Sequence, residues 1–147
     1  MEEYLQTIYI ERDSVCMGDD VTAPNAQTIQ TSGDFLISQF LKQLADALPI
    51  VADTEPIVWS VHLGHQNGKV IGLIETVYQD FIRVKVFDHD SKMKDSSISK
   101  LYCRYFCKST LMTPDQNGRL TIPMYPECPT LAEKVMKHLK VKNNDLL

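Results

Sequence analysis

Ile57-Val58-Trp59-Ser60-Val61-His62-Leu63 is the stretch that decides how this chain folds. Ile57, Trp59, Val61 and Leu63 fall on one side at period two, the pattern of a strand with one buried face. Gln66-Asn67-Gly68-Lys69 follows, and its Asn-Gly pair predicts a type I′ hairpin turn, because both central residues of that turn need positive φ. Val70 to Glu75 is then expected to return antiparallel. Phe81 to Phe87 alternates Ile82, Val84 and Val86 with Arg83 and Lys85, so a third strand completes a meander.

Upstream of this meander, Ile37, Phe40, Leu41, Leu44 and Leu48 recur at the three-and-four spacing of one helical face. Capping oxygens between Thr31 and Asp34 and the closing Pro49 predict a helix over 34–48. Residues 3–10 hold a β-branched and aromatic run that predicts a first strand, and residues 11–25 read as a long acidic loop ending near Pro24. Downstream, 88–99 reads as a polar loop and Leu101 to Cys107 as a strand. Asn117-Gly118 repeats the hairpin signal between Leu111-Met112 and Leu120-Thr121-Ile122. Pro129 stands at the expected first position of a short C-terminal helix carrying Leu131, Ala132, Val135, Met136 and Leu139 on one face. The expected fold is α+β over residues 1–147 as a single domain, with a largely antiparallel sheet of about six strands and one long and one short helix packed on one face.

Charge is distributed unevenly. Residues 1–80 carry twelve acids and three bases, a net of −9, whereas residues 81–147 carry seven acids and twelve bases, a net of +5. Either the two halves neutralise each other across the fold, or an acidic surface faces a basic partner. The acidic start lacks the basic and apolar pattern of a secretory signal, and no stretch approaches the ~20 apolar residues of a membrane span, so a cytoplasmic chain with no membrane contact is expected. Cys16, Cys103, Cys107 and Cys128 are expected as reduced thiols. Overall acidity opposes nucleic-acid binding, although bases after Arg83 alternate with Tyr102, Tyr105 and Phe106.

Chemical constellations are sparse. His62 and His65 lack the further ligands that a zinc site requires. Asp88-His89-Asp90 starts as a calcium loop does, but Lys92 and Met93 occupy the next ligand and glycine positions. Asp90-Ser91-Lys92 resembles the end of a metal-dependent nuclease core, with Glu75 or Asp80 as preceding carboxylate, and supplies the alternative reading of a small metal-dependent enzyme. The cluster Asp13, Asp19 and Asp20 is the other place that reading would put a metal. No catalytic residue, cofactor or metal is assigned.

Ile8-Tyr9-Ile10-Glu11-Arg12-Asp13-Ser14-Val15-Cys16-Met17-Gly18-Asp19-Asp20-Val21 resembles the opening of small bacterial immunity proteins of toxin–immunity systems. That resemblance implies a stoichiometric inhibitor that docks on a cognate toxin domain, often a basic nuclease, and blocks its active site. Asp13, Asp19, Asp20, Asp53 and Glu55 are the residues expected on one acidic partner-binding face, since acidic loops meeting a basic enzyme speed association and reject wrong partners. The chain is expected as a monomer or a homodimer, because edge strands can pair between copies.

Overall fold

The structure, a computed structural model, describes residues 5–14, 25–49, 56–76 and 82–141. The chain order is β1 (Leu5–Arg12), β2 (Ala26–Ser32), α1 (Ile37–Ala45), β3 (Ile57–Leu63), β4 (Val70–Thr76), β5 (Ile82–Val86), β6 (Lys100–Phe106), β7 (Met112–Pro114), β8 (Leu120–Pro123) and α2 (Leu131–His138). Single 3₁₀ turns lie at Met93–Asp95 and Lys108–Leu111.

The fold is α+β around a six-stranded sheet of order β2-β1-β6-β3-β4-β5, with β7 and β8 forming a separate ribbon. The sheet is mixed, which corrects the largely antiparallel expectation. The meander β3-β4-β5 is antiparallel as expected, but β6 returns to the far side of β3 and lies between it and β1. Being antiparallel to β3, β6 runs parallel to β1, pairing Tyr9 with Lys100 and Arg12 with Cys103. No local pattern reports this pairing, since it joins residues about ninety positions apart.

Among the described residues the two helices occupy opposite faces of the sheet, not one. Ile57, Trp59 and Val61 pack with Ile37, Phe40, Leu41 and Leu44 of α1. Val58, between them on the other side of β3, packs with Leu73, Phe106, Leu131, Val135 and Met136 under α2. Period-two strands with apolar residues on both sides bury both. The helices are also nearly equal, nine and eight residues. α1 starts late because Leu36 is extended, bridges to Lys92, and receives the Gln39 side chain on its N–H at 2.8 Å. It stops early because Ala47 and Leu48 donate to carbonyls three residues back.

The Asn67-Gly68 turn also departs from expectation. β3 and β4 are joined by residues 64–69, and positive φ falls on Gly64 at 76°, not on Asn67 or Gly68. Gly68 is needed for space instead: a Cβ there would lie 1.7 Å from the Leu63 carbonyl oxygen. In the second ribbon Gly118 does take positive φ, at 79°.

Candidate functional site

The β7–β8 ribbon projects as an arm from the face covered by α2. Its root is Leu111, almost wholly buried beside Phe106, Leu131 and Val135, so the arm's base belongs to the core while its strands do not. Its tip is built by Asp115, whose Oδ1 accepts the N–H groups of Asn117 and Arg119 at 2.8 and 2.9 Å. Asp115 also exchanges backbone bonds with Gly118 and Arg119, which leaves the left-handed position to Gly118. A two-stranded ribbon cannot cover its own faces. Leu120, Ile122 and Met124 are accordingly 47, 62 and 36 % exposed.

At the foot of the arm lies an open cleft of about 350 Å³ lined by Pro56, Lys108, Pro123, Pro129, Leu131 and Lys134. α2 forms one wall. Thr130 caps that helix by accepting the Glu133 N–H at 3.1 Å, so Pro129 precedes the cap and does not occupy the first helical position. The Lys134 ammonium donates to the Cys128 carbonyl, fixing the chain between the arm and α2. Rigid prolines and a leucine between two lysines suit an apolar group carried beside a carboxylate. Sequence alone does not mark this surface, because Leu120 and Ile122 look like ordinary strand residues and only the ribbon's separation from the sheet exposes them.

Of the five residues expected on an acidic face, Asp19, Asp20, Asp53 and Glu55 lie outside the described residues. Asp13 is described, and it faces β6. Its Oδ1 accepts the Tyr102 hydroxyl at 2.6 Å and its Oδ2 the Tyr105 N–H at 2.9 Å, while its own N–H donates to the Cys103 carbonyl. Both carboxylate oxygens thus tie the end of β1 to β6. Burial, the Asp13 hydrogen bond and the Asp13 charge together push the Tyr102 phenol up to about 12.

The other constellations are also taken up by the fold. Asp90 accepts from the Ser38 N–H at 3.0 Å and from the Ser38 hydroxyl at 2.6 Å, capping α1 from a distant loop. His62 Nε2 lies 2.7 Å from Ser60 Oγ and Nδ1 3.0 Å from the Gly68 carbonyl. With Nδ1 protonated, the imidazole accepts the serine proton as a general base would, but Ser60 and His62 are 0 and 2 % exposed, so the pair braces the 64–69 loop. Burial holds the His62 pKa below its ordinary value, against the opposing Gly68 hydrogen bond. His65 Nδ1 instead accepts the Asn67 N–H in the exposed turn. Among the described residues no three histidine, cysteine or carboxylate side chains gather as metal ligands would, and no helix is long and apolar enough to cross a membrane. Cys103, Cys107 and Cys128 are free thiols. Comparison with protein-family models, with curated proteins and with solved structures finds no match for the chain.

Proposed function

We propose that the domain is a protein-binding module and that the β7–β8 arm, with the cleft at its foot, forms part of its contact surface. One observation carries this reading: Leu120, Ile122 and Met124 stand exposed together on a ribbon that the sheet does not cover. Exposed apolar side chains that gather into a patch mark interaction surfaces. The finer assignment, an immunity-type inhibitor of a cognate toxin domain, rests on the resemblance in residues 8–21 and on the acidic first half. Asp19, Asp20, Asp53 and Glu55 remain its proposed acidic contacts, together with Asp13 at the end of β1.

A gene for a large secreted toxin beside this one would supply the partner. Its toxin domain is titrated with the wild type, with Leu120→Asp/Ile122→Asp and with Asp19→Ala/Asp20→Ala. Loss of two apolar anchors is expected to weaken binding at least about tenfold. The acidic pair is expected to slow association and flatten its salt dependence. An arm variant that melts like the wild type and binds equally well overturns the assignment of the arm, and unchanged association by the acidic variant overturns the acidic face.

A further inference from the structure

β2 is an edge strand, and its open side has a definite pattern. The Arg12 N–H donates to the Asn25 carbonyl at 2.9 Å, and the antiparallel register then runs Ile10 to Gln27, Ile8 to Ile29 and Gln6 to Thr31. Those residues turn their backbone groups toward β1, so Ala26, Thr28 and Gln30 turn theirs outward. The Gln43 side chain confirms the direction, since its Nε2 donates to the outward Gln30 carbonyl at 2.9 Å. No described residue pairs with the outward groups of Ala26 and Thr28 or with the Gln30 N–H. The Gln43 Oε1 at this edge is buried without a hydrogen-bond donor.

Natural edge strands are guarded by charge, proline or bulges. β5, at the opposite edge, carries Arg83 and Lys85. β2 reads Ala-Gln-Thr-Ile-Gln-Thr-Ser, with no charge and no proline, and its seven-residue register with β1 is unbroken. From this we infer that β2 is a dimerisation strand, which pairs antiparallel with β2 of a second copy about a two-fold axis at Thr28. The outward positions are spaced evenly around Thr28, so Ala26 meets Gln30 of the other copy and Thr28 meets Thr28. Each open N–H then finds a carbonyl, and a threonine pair, itself favourable across strands, forms at the axis. A neutral strand opposes its own copy without like-charge repulsion, whereas β5 would set arginine and lysine against each other. The β7–β8 arm lies outside this contact, so the dimer stands or falls apart from the proposed function.

Light scattering on reduced full-length chain over a concentration series tests the inference. The wild type is expected to approach twice the 16.7 kDa of one chain. Thr28→Pro is expected to return the monomer mass while remaining folded, because the Thr28 N–H is not used in the β1–β2 ladder and proline is tolerated at such edge positions. Thr28→Lys gives the same readout should the proline variant not fold. Thr28→Cys is expected to cross-link under mild oxidation that leaves the wild type uncross-linked, since residues in a hydrogen-bonded antiparallel pair lie about 5.5 Å apart at Cα. A wild type that stays monomeric throughout overturns the inference. A folded Thr28→Lys chain that still dimerises overturns it as well.

Discussion

Asp13→Ala is the sharpest test of how the first strand is held. The substitution removes both acceptors at once, the Oδ1 that receives the Tyr102 hydroxyl at 2.6 Å and the Oδ2 that receives the Tyr105 N–H at 2.9 Å. Hydrogen bonds to a charged group contribute about 1.5–3 kcal/mol each, and Asp13 is half-buried, so the low end applies and the pair is worth about 3 kcal/mol. In a domain of this size that is a loss of roughly 6–12 °C in melting temperature. Tyr102→Phe removes one of the two bonds and should cost about 1.5 kcal/mol, and the double variant should fall short of additivity by a similar amount. Asp13→Asn keeps an oxygen for Tyr105 and offers a donor to the Tyr102 oxygen, so its loss should be smaller than that of alanine. Urea unfolding followed by tryptophan fluorescence measures all four, with Trp59 in β3 as the reporter. A loss below about 0.5 kcal/mol for Asp13→Ala would refute the clamp. Weakened partner binding with no loss of stability would go further, leaving Asp13 to the acidic contact face alone.

Four further outcomes follow from the same geometry. The folded-state pKa of His62 lies below the 6.5 of the free side chain, so the unfolded chain binds the extra proton first; stability should fall as pH drops through 6.5, and His62→Gln should flatten that slope in chemical denaturation. Gly68→Ala must push a Cβ off the Leu63 carbonyl oxygen, 1.7 Å away, whereas Gly118→Ala meets only the strain of φ +79° in open space; the first should cost well over the second's roughly 1 kcal/mol by thermal melting. Asp90→Ala should weaken the start of α1 by about 1–2 kcal/mol, readable as faster amide exchange there. Burial raises the Cys107 thiol, but hydrogen bonds involving Ser109, Thr110 and Tyr105 outweigh it and lower the pKa, while burial pushes Cys103 up to about 12; a thiol reagent should therefore modify Cys107 in the native state and reach Cys103 only on unfolding, as peptide mapping would show.

The parts of the fold that were legible in the sequence are those where local periodicity and tertiary burial coincide. β3, β4, β5 and the apolar stripe of α1 are of this kind, because each buries the face that its spacing marks. β2 was not legible: Gln27, Thr28, Gln30 and Thr31 show no apolar alternation, since an edge strand needs little burial and is held by its ladder to β1. The opposite placement of the helices was partly written in β3, where Val58 and the small Ser60 lie between the larger apolar residues, but the eye follows Ile57, Trp59 and Val61. Asp90 misled for a different reason. A carboxylate two residues before a lysine has the same spelling whether it holds a metal or caps a helix, and only the arrival of Ser38 distinguishes them.

The same topology lets part of the uneven charge of the two halves meet across the fold, although the Lys69–Asp88 pair crosses them in the opposite sense. Inserting β6 beside β1 brings Lys100 to 3.4 Å from Glu11, the β4–β5 hairpin sets Arg83 3.6 Å from Glu75, and the loop after β5 brings Lys94 to 3.0 Å from Asp34. In each of these three pairs the acid comes from the first half and the base from the second. Such surface pairs add little stability individually, and three of them offset only part of the net charge of each half. Among the described first-half acids Glu11, Asp34 and Glu75 face bases, Asp13 is bound by the Tyr102 hydroxyl and the Tyr105 N–H, and Asp46 stands exposed. Asp19, Asp20, Asp53 and Glu55 stay the acidic contacts of the proposal, and the apolar arm with Lys108 and Lys134 at its foot would suit a partner of the opposite sign. A partner that meets both surfaces must present separate basic and acidic patches, so salt should slow its association with the wild type and have less effect once Asp19 and Asp20 are neutralised.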